Sequence, residues 1–312
     1  MSIVITGASG QFGRRAVEQL LQRVPAPKLV LVTRRPEALA EFAAQGAQVR
    51  RGDFSDPATL GPAFAGAQRL LLISTDAVGG KRLLQHRAAI DAARAAGVQH
   101  VVYTSFVGAL PGNPAISAIE HVATEQMLRD SGMAWTMLRD SQYSEAMALF
   151  AAPGALMSGQ WLASAGEGRI GLVSREDCIA CAVAVMAAPP GSGHENQVYD
   201  ITGPELLSYR DCAALAAEIG GRPVAYTVCS DEDKLAFFDA LGVPRRIVAD
   251  EPISGPIPWP SEEMVSFERA IREGHFAILS DAVMKLTGRP PRSLRQVFEQ
   301  HAAAIRAALA PQ

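Results

Sequence analysis

Cysteine is scarce in this chain, and it has neither a long apolar run nor an excess of one charge sign. Four cysteines in 312 residues are too few for a disulfide scaffold, so we expect a cytoplasmic protein. No segment reaches the ~20 apolar residues that span a bilayer, and an early strand leaves no room for a signal peptide. The net charge of −3, without a basic block, argues against a nucleic-acid partner.

Several catalytic patterns are missing as well. The absence of a Gly-x-Ser-x-Gly elbow excludes an α/β-hydrolase. The histidines are dispersed without ligand spacing, so we predict no metal site. Cys178 and Cys181 lie inside an apolar, helix-like run, which favours core packing over a redox pair.

Short apolar runs alternate with helical stretches over the first part of the chain. The predicted strands are Ile3–Thr6, Lys28–Thr33, Gln48–Arg51, Arg69–Ser74, His100–Thr104, Trp135–Leu138 and, later, Gln197–Ile201. The predicted helices are Phe12–Arg23, Pro36–Gln45, Pro57–Phe64, Lys81–Ala96, Glu120–Asp130, Glu176–Ala187, Tyr209–Ile219, Ser230–Ala240, Glu262–Gly274 and Ser293–Leu309. This rhythm predicts an α/β fold with a Rossmann-type, doubly wound parallel sheet.

The rhythm loosens after residue 140, which suggests two parts. We expect a nucleotide-binding domain over residues 1–150 and a smaller, mostly helical substrate region over residues 151–312. The chain is free to cross between them more than once. The proline-rich stretch Asp250–Pro260 is predicted to be a loop.

A glycine turn lies between the first strand and the first helix. Gly7 permits a tight turn, Gly10 lets the backbone approach a pyrophosphate, and Gly13 lets the helix pack on the strand. The free N–H groups and the dipole at the helix start favour anionic phosphates. The predicted phosphate loop is Gly7, Ala8, Ser9, Gly10, Gln11, Phe12 and Gly13.

The end of the second strand indicates which dinucleotide binds. An NAD site usually has a carboxylate there, whereas this strand ends in Arg34 and Arg35, with no acid before Glu37. A guanidinium can grip a 2′-phosphate and stack on adenine, so Arg34 predicts NADPH, unless both arginines are simply solvated. Asp53, after the third strand, is a candidate for the adenine amino group or a turn residue.

The pattern Tyr-x3-Lys, the catalytic pair of typical short-chain reductases, occurs nowhere in the sequence. The corresponding stretch places Ser117 at the Tyr position and His121 at the Lys position, if Glu125 matches the glutamate that often follows. With these motifs the chain resembles an NmrA-like atypical short-chain reductase, and most of all the bacterial NADPH:quinone oxidoreductases and triphenylmethane reductases. The resemblance rests on Gly7–Gly13, Arg51–Phe54, Leu72–Thr75, Gln85–Arg87, Ala96–Val98, Tyr103–Ser105, His121–Glu125, Leu138–Arg139, Tyr143–Glu145 and His194–Tyr199.

The resemblance implies a set of further site residues. It places Phe54 beside Asp53 at the adenine, and Ile73, Ser74 and Thr75 along the ribose and nicotinamide. It assigns Thr104 and Ser105 as substrate-side donors or strand-end residues, His121 as a ribose contact or proton relay or a core histidine, and Tyr143 as an acceptor contact or a packing residue. Candidate catalytic residues are thus His121, Tyr143 and Ser105.

Two features near Tyr143 bear on the acceptor. Asp140 stands where the family pattern often has asparagine, which replaces an amide donor with a carboxylate. The apolar stretch Met147–Met157 is predicted to be a lid over the acceptor or plain core.

The resemblance implies hydride transfer from NADPH to a quinone or related aromatic acceptor. Such acceptors take hydride readily, so stacking and exclusion of water suffice without a Tyr–Lys pair. A non-catalytic NADP(H) sensor and, more remotely, an epimerase or lyase stay open as alternatives, as does a homodimer.

Overall fold

The computed structural model describes residues 2–246, 257 and 259–307, which leaves most of the proline-rich segment 250–260 outside the described residues. Seven strands form one parallel sheet in the order β3-β2-β1-β4-β5-β6-β8, and two short strands, β7 and β9, form a second. The strands are β1 Ile3–Ile5, β2 Leu29–Thr33, β3 Gln48–Arg51, β4 Arg69–Leu72, β5 His100–Phe106, β6 Ala134–Asp140, β7 Gln160–Ala163, β8 Gln197–Ile201 and β9 Ala225–Val228.

Helices cover both faces of the large sheet and build the C-terminal region. They are α1 Gln11–Leu20, α2 Ala40–Ala44, α3 Leu60–Phe64, α4 Gly80–Ala95, α5 Ile116–Arg129, α6 Ser144–Ala146, α7 Ala152–Ser158, α8 Arg175–Ala187, α9 Tyr209–Gly220, α10 Asp231–Ala240, α11 Ser261–Arg272, α12 Ala282–Thr287, α13 Leu294–Gln300 and α14 Ala302–Ala307. A π-helix, Met147–Ala151, joins α6 to α7. No helix in the described ranges is both long and apolar enough to cross a bilayer.

The central strands β1, β2 and β4 are almost wholly apolar and buried because both faces of the sheet are covered there. In β1, Ile3 and Ile5 pack with helices α1 and α8 on one face, while Val4 packs with α3 and α4 on the other. The strand order reverses between β1 and β4, and this switch point is where doubly wound sheets bind their ligands. The predicted Rossmann-type fold with a helical C-terminal region is confirmed.

The chain returns to the sheet after residue 150. Helix α8 packs on β4, β5, β6 and β8, and β8 pairs with β6 in parallel. A separate core cluster of the C-terminal region packs α7, α9 and α13 around residues such as Trp161 and Phe298. The domain boundary at residue 150 stays a prediction. The chain does cross back from the C-terminal region to the sheet, because β8 pairs with β6.

Strands β7 and β9 and helix α12 were not predicted from the sequence. Strands β7 and β9 are four residues each, too short to show a period, and they pair over a separation of 65 residues. The predicted final helix is divided at His301 into α13 and α14, and its last residues lie outside the described part.

Candidate active site

The glycine turn between β1 and α1 has the geometry its sequence predicted. Gly7 adopts a φ of +59°, the left-handed conformation that glycine tolerates. The N–H of Ala8 donates to the carbonyl of Val32 at 3.1 Å, which ties the turn to β2. Helix α1 begins at Gln11 with Gly10 as its N-cap, so the N–H groups of its first turn are left for a ligand.

Gly13 shows why this turn accepts no side chain there. A Cβ at Gly13 would lie 2.2 Å from the carbonyl oxygen of Gly7 and 2.7 Å from the Cα of Ala8. At Gly10, a Cβ would meet the same oxygen at 3.3 Å. Backbone therefore packs directly on backbone, and the resulting cradle of N–H groups at a helix start fits a dinucleotide pyrophosphate.

The end of β2 presents basic side chains to solvent. Ser9 and Thr33 hydroxyls are hydrogen-bonded at 2.7 Å, and the N–H of Arg35 donates to Thr33 Oγ1 at 3.2 Å. Arg34 is exposed, and across the described residues its side chain makes no hydrogen bond or ion pair. Its guanidinium is free for a 2′-phosphate, as an NADPH site requires.

Asp53 and Phe54 follow β3 in a tight turn. Asp53 Oδ1 accepts from the N–H of Ser55 at 2.9 Å, and the Asp53 N–H donates to Thr59 Oγ1 at 2.9 Å. Phe54 is half-buried against the core that includes Leu60. The turn role left open for Asp53 is thus visible, while its contact with adenine stays a prediction.

The loop after β4, at residues 73–75, is held by side chains from three other elements. The N–H of Ile73 donates to Thr6 Oγ1 at 3.0 Å, and that of Ser74 to Thr104 Oγ1 at 2.8 Å. The N–H of Thr75 donates to His86 Nε2 at 3.2 Å. These bonds fix the backbone beside the switch point, where the resemblance places the ribose and nicotinamide. Thr104 is therefore a support for Ser74 in this structure.

His121 is buried in the interior side of α5. Its Nδ1 is 2.7 Å from the hydroxyl of Tyr103, and its ring packs near Phe106 at 5.9 Å between centroids. Burial, together with the nearby Arg82 and His86, lowers the pKa of His121 well below its ordinary 6.5. The ring is neutral at pH 7, which disfavours a proton relay near neutrality; the ribose contact stays a prediction.

The contacts of Ser105 do not match the predicted role of a substrate-side donor. It is buried, and its hydroxyl donates to Glu125 Oε1 at 2.7 Å. Arg139 Nη2 donates to Glu125 Oε2 at 2.7 Å, and this ion pair and the hydrogen bonds keep the pKa of Glu125 low despite burial. Ser105 thereby serves a structural carboxylate, which argues against an acceptor-side donor.

Tyr143 lies at the carboxyl end of β6, beside the glycine turn. Its hydroxyl donates to Asp140 Oδ2 at 3.2 Å, and the guanidinium of Arg175 stands 5.1 Å from its ring centroid. Arg175 Nη1 donates to Gln11 Oε1 at 2.7 Å. One arginine at the start of α8 therefore links the predicted phosphate loop to the predicted acceptor residue.

The stretch Met147–Met157 divides between core and surface. Met147, Ala148 and Leu156 are buried, whereas Phe150 is 54% exposed and Met157 is 64% exposed. The exposed Phe150 ring meets Trp259 edge to face, with 6.0 Å between centroids. The core alternative thus holds for much of the segment, and only its exposed members are available to form a wall.

Arg175 was not singled out from the sequence, and His86 and Tyr103 entered only as members of the family motifs, without a role. Each acts through a partner that lies far along the chain, such as Gln11, 164 positions from Arg175. Arg175 follows Ser174, which caps α8, so only its place at a helix start was a signal. Cys178 and Cys181 are free and buried in the core, which confirms their predicted packing role.

Known proteins with this geometry bind nicotinamide dinucleotides. The chain is 40% identical to quinone oxidoreductase 2 of Escherichia coli over 242 residues, which are 78% of this chain and 82% of that protein. It superposes on the crystal structure of NADPH-dependent quinone oxidoreductase QOR2 of E. coli, complexed with NADPH, with a TM-score of 0.85 and 35% identity, covering 96% of this chain and 99% of that one.

A second solved structure is the triphenylmethane reductase of Citrobacter sp. complexed with NADP(H). The TM-score is 0.82 with 29% identity, covering 96% of this chain and 99% of that one. These matches confirm the predicted resemblance to quinone and triphenylmethane reductases. The sequence model of a family described as NAD(P)H-binding matches residues 7–189. The chain therefore belongs to this NAD(P)H-binding family.

Proposed function

We propose that this protein is an NADPH-dependent reductase that transfers hydride to a quinone or a related flat aromatic acceptor. The observation that carries the proposal is the pairing of an intact phosphate cradle, closed by Gly13, with a guanidinium at Arg34 that has no partner in the described part of the chain. The quinone oxidoreductase with bound NADPH is the relative that supports this acceptor class. Bound NADPH would supply the hydride.

The chain holds the cofactor through backbone and one cation. The first-turn N–H groups of α1 would receive the pyrophosphate, and Arg34 would pair with the 2′-phosphate. The loop at residues 73–75, fixed by Thr6, Thr104 and His86, would set the nicotinamide against the acceptor. Holding the two reactants in contact is the main contribution that such a reaction needs.

The acceptor would lie against Tyr143 on the far side of the nicotinamide. The Tyr143 ring is half-buried and backed by Arg175, so its position is fixed before any ligand arrives. A flat, electron-poor ring gains from stacking on such an aromatic wall. Phe150 and Trp259, whose rings are in contact, offer further exposed aromatic surface.

Purified protein mixed with NADPH and a panel of quinones and triphenylmethane dyes tests the proposal. We expect loss of the dihydronicotinamide absorbance with at least one acceptor, faster with NADPH than with NADH. A protein that binds NADPH but reduces none of the panel would contradict the reductase and favour the NADP(H) sensor. A protein that binds neither dinucleotide would contradict both.

A further inference from the structure

Asp140 is a buried carboxyl group that neither the fold nor the cofactor site explains. It ends β6 at the edge of the sheet where the strands' carboxyl ends meet, and it is 4% exposed. Oδ2 accepts from the Tyr143 hydroxyl at 3.2 Å. Oδ1 is buried without a hydrogen-bond partner among the described residues. An unpartnered buried carboxylate oxygen costs stability, and here it belongs to a carboxyl group that also contacts the predicted acceptor residue.

Among the described residues, no cation is in contact with Asp140. The thiols of Cys178 and Cys181, both on α8, lie close to it. Its register partners on the neighbouring strands, Phe106 of β5 and Ile201 of β8, carry no charge. The guanidinium of Arg175 lies behind the Tyr143 ring. A carboxyl in such an apolar setting keeps its proton more readily than an exposed one.

We infer that Asp140 is a proton reservoir that acts through Tyr143 to protonate the reduced acceptor. This inference rests on the proposed reductase function. Hydride addition to a quinone leaves an electron pair on one of its oxygens, which must take up a proton. The Oη–H bond of Tyr143 breaks as that acceptor oxygen gains its proton. Once the phenol hydrogen has gone to the acceptor, the hydrogen bond between the two side chains reverses: the Oδ2–H bond of Asp140 breaks as Tyr143 Oη regains a proton, and solvent then reprotonates the Asp140 carboxylate.

The electrostatics agree with this geometry. Burial raises the pKa of Asp140 to about 7, and the neighbouring Cys178 and Tyr143 hold it from rising further. Burial and the neighbouring Asp140 raise the pKa of Tyr143 well above its ordinary value, so the phenol gives up its proton only when another replaces it. A group that titrates near neutral pH is matched to donating a proton there. Asp140 is thus a positioning and proton-supplying residue, while Tyr143 is the one that touches the acceptor.

The test is the pH dependence of quinone reduction by wild type and by Asp140→Asn at saturating NADPH. For wild type, we expect kcat/KM to fall as the pH rises through about 7, because the acid form is needed and is lost. For Asp140→Asn, which keeps the shape but has no acidic proton, we expect a flat profile and a rate ~10–100-fold lower at acid pH. Tyr143→Phe should lower the rate likewise and remove the same limb of the profile.

Asp200→Asn is the matched control. Asp200 lies one strand away on β8, and it too has a buried oxygen without a partner. It makes no hydrogen bond with Tyr143 within the described structure, so its variant should keep the wild-type profile. If kcat/KM depends on pH in Asp140→Asn as it does in wild type, the inference is overturned. It is also overturned if Asp200→Asn loses the fall of kcat/KM near pH 7 to the same extent as Asp140→Asn.

A second readout is independent of turnover. In protein with ¹³C-labelled aspartate carboxyls, one resonance should titrate near pH 7 and vanish in Asp140→Asn. In Tyr143→Phe the same resonance should titrate at higher pH, because the carboxylate loses a donor. If the resonance that vanishes in Asp140→Asn titrates at an ordinary aspartate pKa in wild type, the inference is overturned. If wild type reduces no acceptor, the proposed function itself fails, which is a different result from a reductase indifferent to Asp140.

Discussion

The carboxyl ends of the strands line one side of the sheet, and the two halves of this side differ in composition: backbone groups dominate one half and side chains the other. At β1 and β2 the candidate cofactor site consists of backbone, with Gly7 and Gly13 shaping it and the exposed Arg34 beside it. At β5 and β6 the candidate acceptor site consists of buried, hydrogen-bonded side chains such as His121 and Asp140. In the proposed reductase the first half would bind by shape and fixed dipoles, whereas the second holds groups whose protonation depends on their burial.

The largest expected effect comes from filling the backbone contact on the cofactor side. Gly13→Val would push the Gly7 carbonyl out of place, and we expect NADPH affinity to fall about 100-fold, since such overpacking costs up to ~3 kcal/mol. Calorimetric titration measures it. Should that variant not fold, Gly10→Ala, whose Cβ meets the same oxygen at 3.3 Å, gives a smaller loss.

Gly154→Ala is the control for that substitution. Gly154 lies in helix α7, and a Cβ there meets nothing within 4 Å. We expect unchanged affinity and a small gain in stability, because alanine favours a helix over glycine. NADPH binding by Gly13→Val equal to that of this control would contradict a backbone-built cradle.

We expect acid to destabilise the folded protein through His86, a buried histidine that is neutral at pH 7. His86 Nε2 accepts from Thr75 and is protonated only with difficulty: burial, with Arg82 nearby, lowers its pKa from 6.5 to about 3. The unfolded chain binds that proton more readily, so the stability that His86 contributes is present above pH 6.5 and lost as the pH falls toward 3. Between about pH 6.5 and 3, lowering the pH by one unit should therefore reduce the free energy of unfolding of His86→Gln by about 1.4 kcal/mol less than that of wild type.

Denaturant unfolding between about pH 4 and pH 7 measures that slope. If the free energy of unfolding changes with pH equally in His86→Gln and wild type, His86 has no part in the acid sensitivity of the protein.

Charge reversal at Arg34 should affect cofactor choice more than cofactor binding as such. We expect Arg34→Glu to reduce the preference for NADPH over NADH by ~10–100-fold, because a charge-assisted hydrogen bond is replaced by repulsion. Calorimetry with both dinucleotides gives the ratio. Arg35→Glu, an equally exposed neighbour, should change it less, and an unchanged ratio in Arg34→Glu would remove the assigned role.

The smallest expected effect concerns the loop where the two halves meet. Thr104→Val removes the oxygen that accepts from the N–H of Ser74 and should cost about 1 kcal/mol of stability. We also expect KM for NADPH to rise by a few-fold, while Thr104→Ser, which keeps the hydroxyl, should stay near wild type. Steady-state kinetics and thermal unfolding test this, and equal behaviour of both variants would contradict the support role.

The sequence allowed the cofactor half to be predicted far better than the acceptor half. The glycine turn and Arg34 are adjacent in sequence to the strands that position them, so local pattern carries their geometry. The environment of Ser105 depends instead on Glu125 and Arg139, and that of Tyr143 on Arg175, all brought together only by the fold. Burial and pairing of side chains have no local signature, which explains why roles there were left open.

The late return of β8 to the sheet decides where this chain can be cut. Removing everything beyond residue 150 would strip β8 from β6 and take α8 off the sheet. The bare rim of β6 would then offer unpaired N–H and C=O groups to other copies, a known route to aggregation. Attempts to produce the nucleotide half alone should therefore extend at least through Ile201, and fusion partners are better attached elsewhere than at position 150.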